Sequence, residues 1–204
     1  TGAAGPLDGT ASNVIDGAAP YVRVAYEAQW GRHDLEVGAY GAGFRLHPGG
    51  GSSSSPTSLS GQVNQFDDIA EDLQYQFIGE DNIVTVAGTH IHESMHLNAS
   101  FAAGLSGNPT DQLNTTRFDA TYYFRRKYGV TVSHFATNGS VDTGLYPAAP
   151  APGVITSANG SPDTTGWIAE LSYLPWLNTK LSLQHTHYDR FNGARRDADG
   201  FDRG

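Results

Sequence analysis

No cysteine occurs in the 204 residues, and methionine occurs once. Without thiols the chain holds no disulfide framework, no Cys-x-x-Cys-His haem attachment, no iron–sulfur cluster and no cysteine-based zinc site. Charge is sparse as well: Asp, Glu, Lys and Arg make up 16% of residues, where globular domains carry about a quarter. Twelve Lys and Arg stand against 21 Asp and Glu, a net charge of −9. Nucleic-acid binding needs clustered cations, so this balance argues against it. No apolar run reaches the length of a transmembrane helix. No basic-plus-apolar leader opens the chain, so any signal peptide is expected to be already removed or absent.

What remains is a chain rich in Gly (25) and aromatics (10 Tyr, 9 Phe, 3 Trp), with 10 Pro. Apolar and aromatic residues recur at short intervals, which argues against disorder. Their period is two. In YVRVAYEAQW, from Tyr21, the side chains of Val22, Val24, Tyr26, Ala28 and Trp30 share one face, opposite Arg23, Glu27 and Gln29, the alternation of a strand. Similar runs predict strands at about 21–30, 35–46, 68–78, 82–92, 115–125, 128–137, 165–174 and 179–188. Residues 1–20 are expected to form a loop or N-terminal extension, 21–192 one domain, and 193–204 an outer loop. The run from Asn82 alternates least cleanly, with Ile83 and Ile91 on its more polar face.

The connections alternate too. Those near 31–34, 79–82, 126–128 and 175–179 are tight, whereas those at 47–66, 98–114 and 138–164 are long and rich in Gly, Ser and Pro. Ten-residue strands with short turns on one rim and long loops on the other describe an outer-membrane β-barrel, with periplasmic turns and extracellular loops. The fold class is therefore all-β: an antiparallel transmembrane barrel located in the bacterial outer membrane, among its lipids. Aromatics near strand ends (Trp30, Tyr26, Phe77, Phe124, Trp167, Tyr173) suit interfacial girdles. With tight turns in the periplasm, both ends of the sequence fall on the long-loop rim. At least one more strand is then expected at each end, making this chain part of a larger barrel.

Three stretches, FDDIAEDLQYQFIGEDNIVTV, LNASFAAGLSGNPTDQLNTTRFDATYYFRRKYGVTVSHF and GSPDTTGWIAELSYLPWLNTKLSLQHTHYDRFNG, resemble a family of proteobacterial porin-like outer-membrane barrels whose members often bear a cytochrome c-type name. The resemblance implies a porin-like conduit, or a sheath for an electron-carrying c-type cytochrome as partner. It implies no haem in this chain, because Cys-x-x-Cys-His is absent, and it transfers no catalytic residue.

The polar faces supply the expected pore lining: Arg23, Glu27, Glu36, Asp72, Gln74, Arg117, Asp119, Arg125, Glu170, Lys180 and Gln184. Such a lumen would pass small hydrophilic solutes or ions, the acidic excess favouring cations; alternatively the charges pair and fill a narrow barrel. The chain is expected not to be an enzyme and to bind no cofactor itself.

Two competing readings are weighed. His92-Glu93-Ser94-Met95-His96 matches HExxH, which on a helix holds zinc for hydrolysis. In a strand, residues four apart are about 13 Å apart, too far to share an ion. The match also lacks the downstream Gly and His of the extended pattern, Ala99 and Ala102 standing there. The other reading is a soluble β-sandwich that binds a ligand. The histidines His90, His92, His134, His185 and His187 all fall on the apolar faces of ascending strands. A headgroup-level girdle explains them, with imidazole in Trp- or Tyr-like positions; His90, His92, His96, His185 and His187 are the weaker candidates for metal. Asp197, Asp199 and Asp202 lack the other ligands of a calcium loop, and the Gly/Ser stretch at 50–61 reads as a mobile outer loop.

Overall fold

The computed structural model describes residues 13–48, 62–147, 157 and 159–194. The 50–61 loop, residues 1–12 of the N-terminal extension and the Asp197–Asp202 stretch therefore lie outside the described residues. Nine strands form one antiparallel sheet: β1 (Asn13–Ile15), β2 (Tyr21–Trp30), β3 (His33–Pro48), β4 (Asn64–Ile78), β5 (Asn82–His96), β6 (Thr110–Phe124), β7 (Tyr128–Gly139), β8 (Thr164–Tyr173) and β9 (Leu181–Arg190). Among the described residues one short helix, α1 (Asn98–Ala102), follows β5. The chain meanders, each strand from β2 onward pairing with the next.

The sequence alternation accounts for where strands form, but not for how far they run. On the long-loop rim β4 and β6 begin four or five residues earlier than the pattern predicts, and β5 continues to His96. Within the predicted N-terminal loop, Asn13–Ile15 pairs with the end of β3, so β1 and β2 share one edge of that strand.

Directly paired residues in an antiparallel sheet project to the same side, so the register sorts the two faces. Arg23, Tyr40, Asp72, Thr89, Arg117, Ser133, Glu170 and Gln184 belong to a polar face. Val24, Leu73, Val86, Tyr122, Val130, Leu171 and Leu183 belong to the other. That second face is bare. Val24 is 72% exposed, Tyr26 70% and Leu183 73%, and among the described residues no second sheet or helix covers it. A sandwich would bury it; this sheet does not.

Buried residues collect instead at the long-loop end, on the polar face. Ala70, Met95 and Leu97 are buried there beside Asn64, Ser100 and Asp111. The helix causes this by folding back over β4 and β3. No side chain of its own segment caps it. Asn64 of β4 does so from across the chain, its Oδ1 accepting from the backbone N–H groups of Ala99 and Ser100 at 3.1 Å each while its Nδ2 donates to Ser100 Oγ at 2.6 Å. Two of the amides a helix start leaves unpaired are thereby satisfied.

Candidate functional site

The polar face carries its charges as lateral pairs. Arg23 Nη2 lies 2.6 Å from Glu36 Oε1 and 2.7 Å from Asp72 Oδ1, so one guanidinium reaches from β2 to β4. Gly38 of β3 makes this passage possible, since a Cβ there would stand 2.8 Å from Asp72 Oδ1 and 2.9 Å from Arg23 Nη2. Arg117 donates to both oxygens of Asp119 at 2.9 Å, and Asp119 also accepts from Ser133. Lys180 Nζ is 2.6 Å from Glu170 Oε1, which accepts from Ser172 Oγ as well. Glu27 accepts from Gln29, which also donates to Asp34.

Gln74 and Gln184 lie on the same face by register. Arg125 does not. It sits in the β6–β7 turn with φ of 50°, its guanidinium 5.2 Å from the centre of the Phe124 ring. Its expected place on the polar wall is corrected accordingly: the hairpin turns one residue before the alternation would deliver it. Asp34, Asp68 and Glu93, none of them expected in the pore lining, do share the polar face. Asp68 and Glu93 are direct register partners, and Asp68 Oδ1 is buried without a hydrogen-bond partner among the described residues. The β2–β5 half of this face thus carries Glu27, Asp34, Glu36, Asp68, Asp72 and Glu93 against one cation, Arg23.

At the long-loop rim Asp142 ties two loops together. Its Oδ1 accepts from the N–H groups of Gly107, Gly144 and Leu145 at 2.8, 2.7 and 2.9 Å, and its Oδ2 from Ser106 Oγ at 2.7 Å and Asn108 N–H at 3.0 Å. Burial alone would raise this carboxyl, but five donors outweigh burial and hold it well below the ordinary carboxylate range. Neighbouring Asp111 is buried with one oxygen bonded to Asn108 and the other unpartnered; burial, reinforced by Asp142, moves it upward.

His92 and His96 lie on the apolar face of β5 and Glu93 on the polar face. HExxH in a strand cannot bring its three side chains to one ion, and the zinc reading fails on that geometry. His90 pairs with Thr116 at 2.9 Å and His92 with Asn114 at 2.8 Å. His187 Nε2 is 3.6 Å from Asp189 Oδ1, and His185 faces Ala169. Three strands separate β5 from β9, so the two histidine pairs do not meet. Among the described residues no three His, Asp or Glu side chains are grouped to hold a metal. Among the described residues no helix is long and apolar enough to cross a membrane, which says nothing of a β-barrel.

The apolar face has an upper boundary that lies higher on β2 than on β9. Climbing from the short-turn rim, beyond His33 and Asn82 at the rim itself, the first polar side chain on this face is Glu71 on β4, His90 on β5, Thr116 on β6, His134 on β7, Thr165 on β8 and His185 on β9; Ile69 and Ala136 stand apolar above it. On β2 the apolar run reaches Val22, whereas on β9 it stops at Leu183, which shares a hydrogen-bonded row with Trp30. Between these two end strands the apolar run falls eight residues over seven strand-to-strand steps, while on β4, β5, β6 and β8 it ends on one row, that of Leu73, Gly88, Phe118 and Trp167. With a rise of about 3.3 Å per residue and a strand spacing of about 4.8 Å, the ends on β2 and β9 would come level if the strands were tilted by roughly 40°. Aromatics mark the short-turn side: Trp30 stacks on His33 at 5.4 Å and Tyr128 on Tyr173 at 5.1 Å.

No family model matches the chain, and neither the curated proteins nor the solved structures contain a match.

Proposed function

We propose that this sheet is part of the wall of a porin-like channel in the bacterial outer membrane, its apolar face toward lipid and its polar face lining a water-filled path for small hydrophilic solutes or ions. The exposed apolar face, spread over β2 to β9 behind a charged one, carries this reading; an exposed patch of this extent calls for a partner. A lipid slab is flat, and strands of a membrane barrel cross it at about 35–45°, an inclination at which the ends of the apolar run on β2 and β9 come level. Lipid also forbids open sheet edges, so in the assembled barrel both β2 and β9 are paired. The proposed role is passage rather than chemistry.

The test is reconstitution. The full chain should float with phospholipid vesicles and give discrete conductance steps in a planar bilayer, with a reversal potential in a KCl gradient on the cation-selective side because of the carboxylates on the β2–β5 half. A protein that stays in solution without detergent and leaves the bilayer silent would overturn the reading.

A further inference from the structure

On the apolar face, a groove of about 510 Å³ passes over Gly88 of β5. Its floor is apolar, with Leu73 and Phe118 on either side of the glycine in one hydrogen-bonded row. Its upper rim is Glu71, His90 and Thr116, the next row, where polar side chains replace the apolar floor. Glu71 is exposed and has no ion-pair or hydrogen-bond partner among the described residues. A carboxylate left alone on an apolar face is costly wherever that face meets lipid, and such residues mark function.

We infer that this groove binds one phospholipid whose head group carries an ammonium beside its phosphate. The inference rests on the lipid-facing reading of the apolar face and adds a ligand to it. An acyl chain fills the notch that the missing Cβ of Gly88 leaves between Leu73 and Phe118. The ammonium meets the Glu71 carboxylate. His90 Nδ1 is 2.9 Å from Thr116 Oγ1; with the threonine hydroxyl donating there, the imidazole proton sits on Nε2 and donates to the phosphate. A head group with phosphate and no ammonium sets like charges together at Glu71 and is disfavoured.

The glycine gives a clean test, because a Cβ at position 88 would meet only Arg117 O and Phe118 Cδ2, both at 3.9 Å, an ordinary contact. The full chain is reconstituted in vesicles containing phosphatidylethanolamine, phosphatidylglycerol and lipid A in equal amounts, floated to establish insertion, then extracted and weighed intact by native mass spectrometry. One phosphatidylethanolamine should remain bound. Gly88→Leu should lower its retention at least tenfold, and Glu71→Gln should abolish its preference over phosphatidylglycerol while leaving lipid in the groove. Equal retention of the three lipids, a preference for lipid A, or unchanged retention in Gly88→Leu would overturn the inference with the membrane reading intact. A chain that does not float would sink both.

Discussion

Single charges on this sheet act according to the company they keep, and two arginines of the β6 hairpin show the difference. Arg117 lies on the polar face, bound through two nitrogens to Asp119. Arg125 lies outside the wall, over Phe124. Replacing Arg117 by Gln should release Asp119 as an uncompensated carboxylate and move the reversal potential further to the cation side; Arg125→Gln should leave it where it was. Equal shifts from both, measured in the same salt gradient, would mean that the polar face does not line the path. Stability should respond little to Arg117, since a half-exposed ion pair is worth about 0–1 kcal/mol. Both residues sit in one alternating run, so sequence periodicity places them together. Only the turn separates them, and it does so through left-handed backbone at Arg125 and Arg126, a conformation that arginine does not advertise.

Among the elements, the strands were legible and the loops were not. Period-two alternation marks a strand wherever one face differs from the other, and the runs from Tyr21, Phe118 and Trp167 have that property. It fades on the upper part of β5, where Ile91 and Met95 fall on the polar face, Met95 buried. Nothing local announces that Asn64, more than thirty residues away, caps α1, or that Asp142 gathers donors from two loops. Asp142→Asn should therefore be felt on both loops at once. The amide sets its own donors against those it must receive, and hydrogen exchange at Gly107, Asn108, Gly144 and Leu145 should quicken about tenfold or more, equivalent to about 1.4 kcal/mol of local stability. Protection lost at Gly107 and Asn108 only would show that the loops are not tied.

The same latch has a pH window, and its two carboxyls work in opposite senses. Asp142 is held below its unfolded value, so its contribution is present above the ordinary carboxylate range and disappears only as pH falls through its depressed native value. Asp111 is raised, so its contribution is complete below the ordinary range and declines as pH rises through the elevated native value. The loops should be tightest in mild acid, with Asp142 ionised and Asp111 neutral. Exchange at Gly144 and Leu145, corrected for intrinsic rates, should accelerate from mild acid toward alkaline pH, and Asp111→Asn should flatten that rise. A profile unaffected by Asp111→Asn would assign the pH response to another group.

At the scale of the whole molecule the proposed membrane role turns on one quantity, the angle between the hydrogen-bonded rows and the membrane plane. One row runs from Tyr26 through Val37, Leu73, Gly88, Phe118, His134 and Trp167 to His187. In a sheet standing upright every member would lie at one depth. With the strands inclined by roughly 40°, seven spacings of about 4.8 Å lift the far end by roughly 20 Å relative to the near end. Tyr26 then sits within the hydrocarbon and His187 beyond its edge, although the sheet treats them as neighbours in register. Spin labels on cysteines introduced singly at Tyr26, Leu73, Phe118 and His187, a background with no native thiol to remove, should report a steady gradient: high access to dissolved oxygen and low access to a water-soluble nickel chelate at position 26, reversing by position 187. The thermodynamic counterpart follows the same gradient. Arginine in place of Tyr26 should cost about 2–4 kcal/mol of membrane stability, and in place of His187 no more than about 1 kcal/mol. Uniform depth along the row would leave the fall of the apolar edge from Val22 on β2 to Leu183 on β9 without a cause.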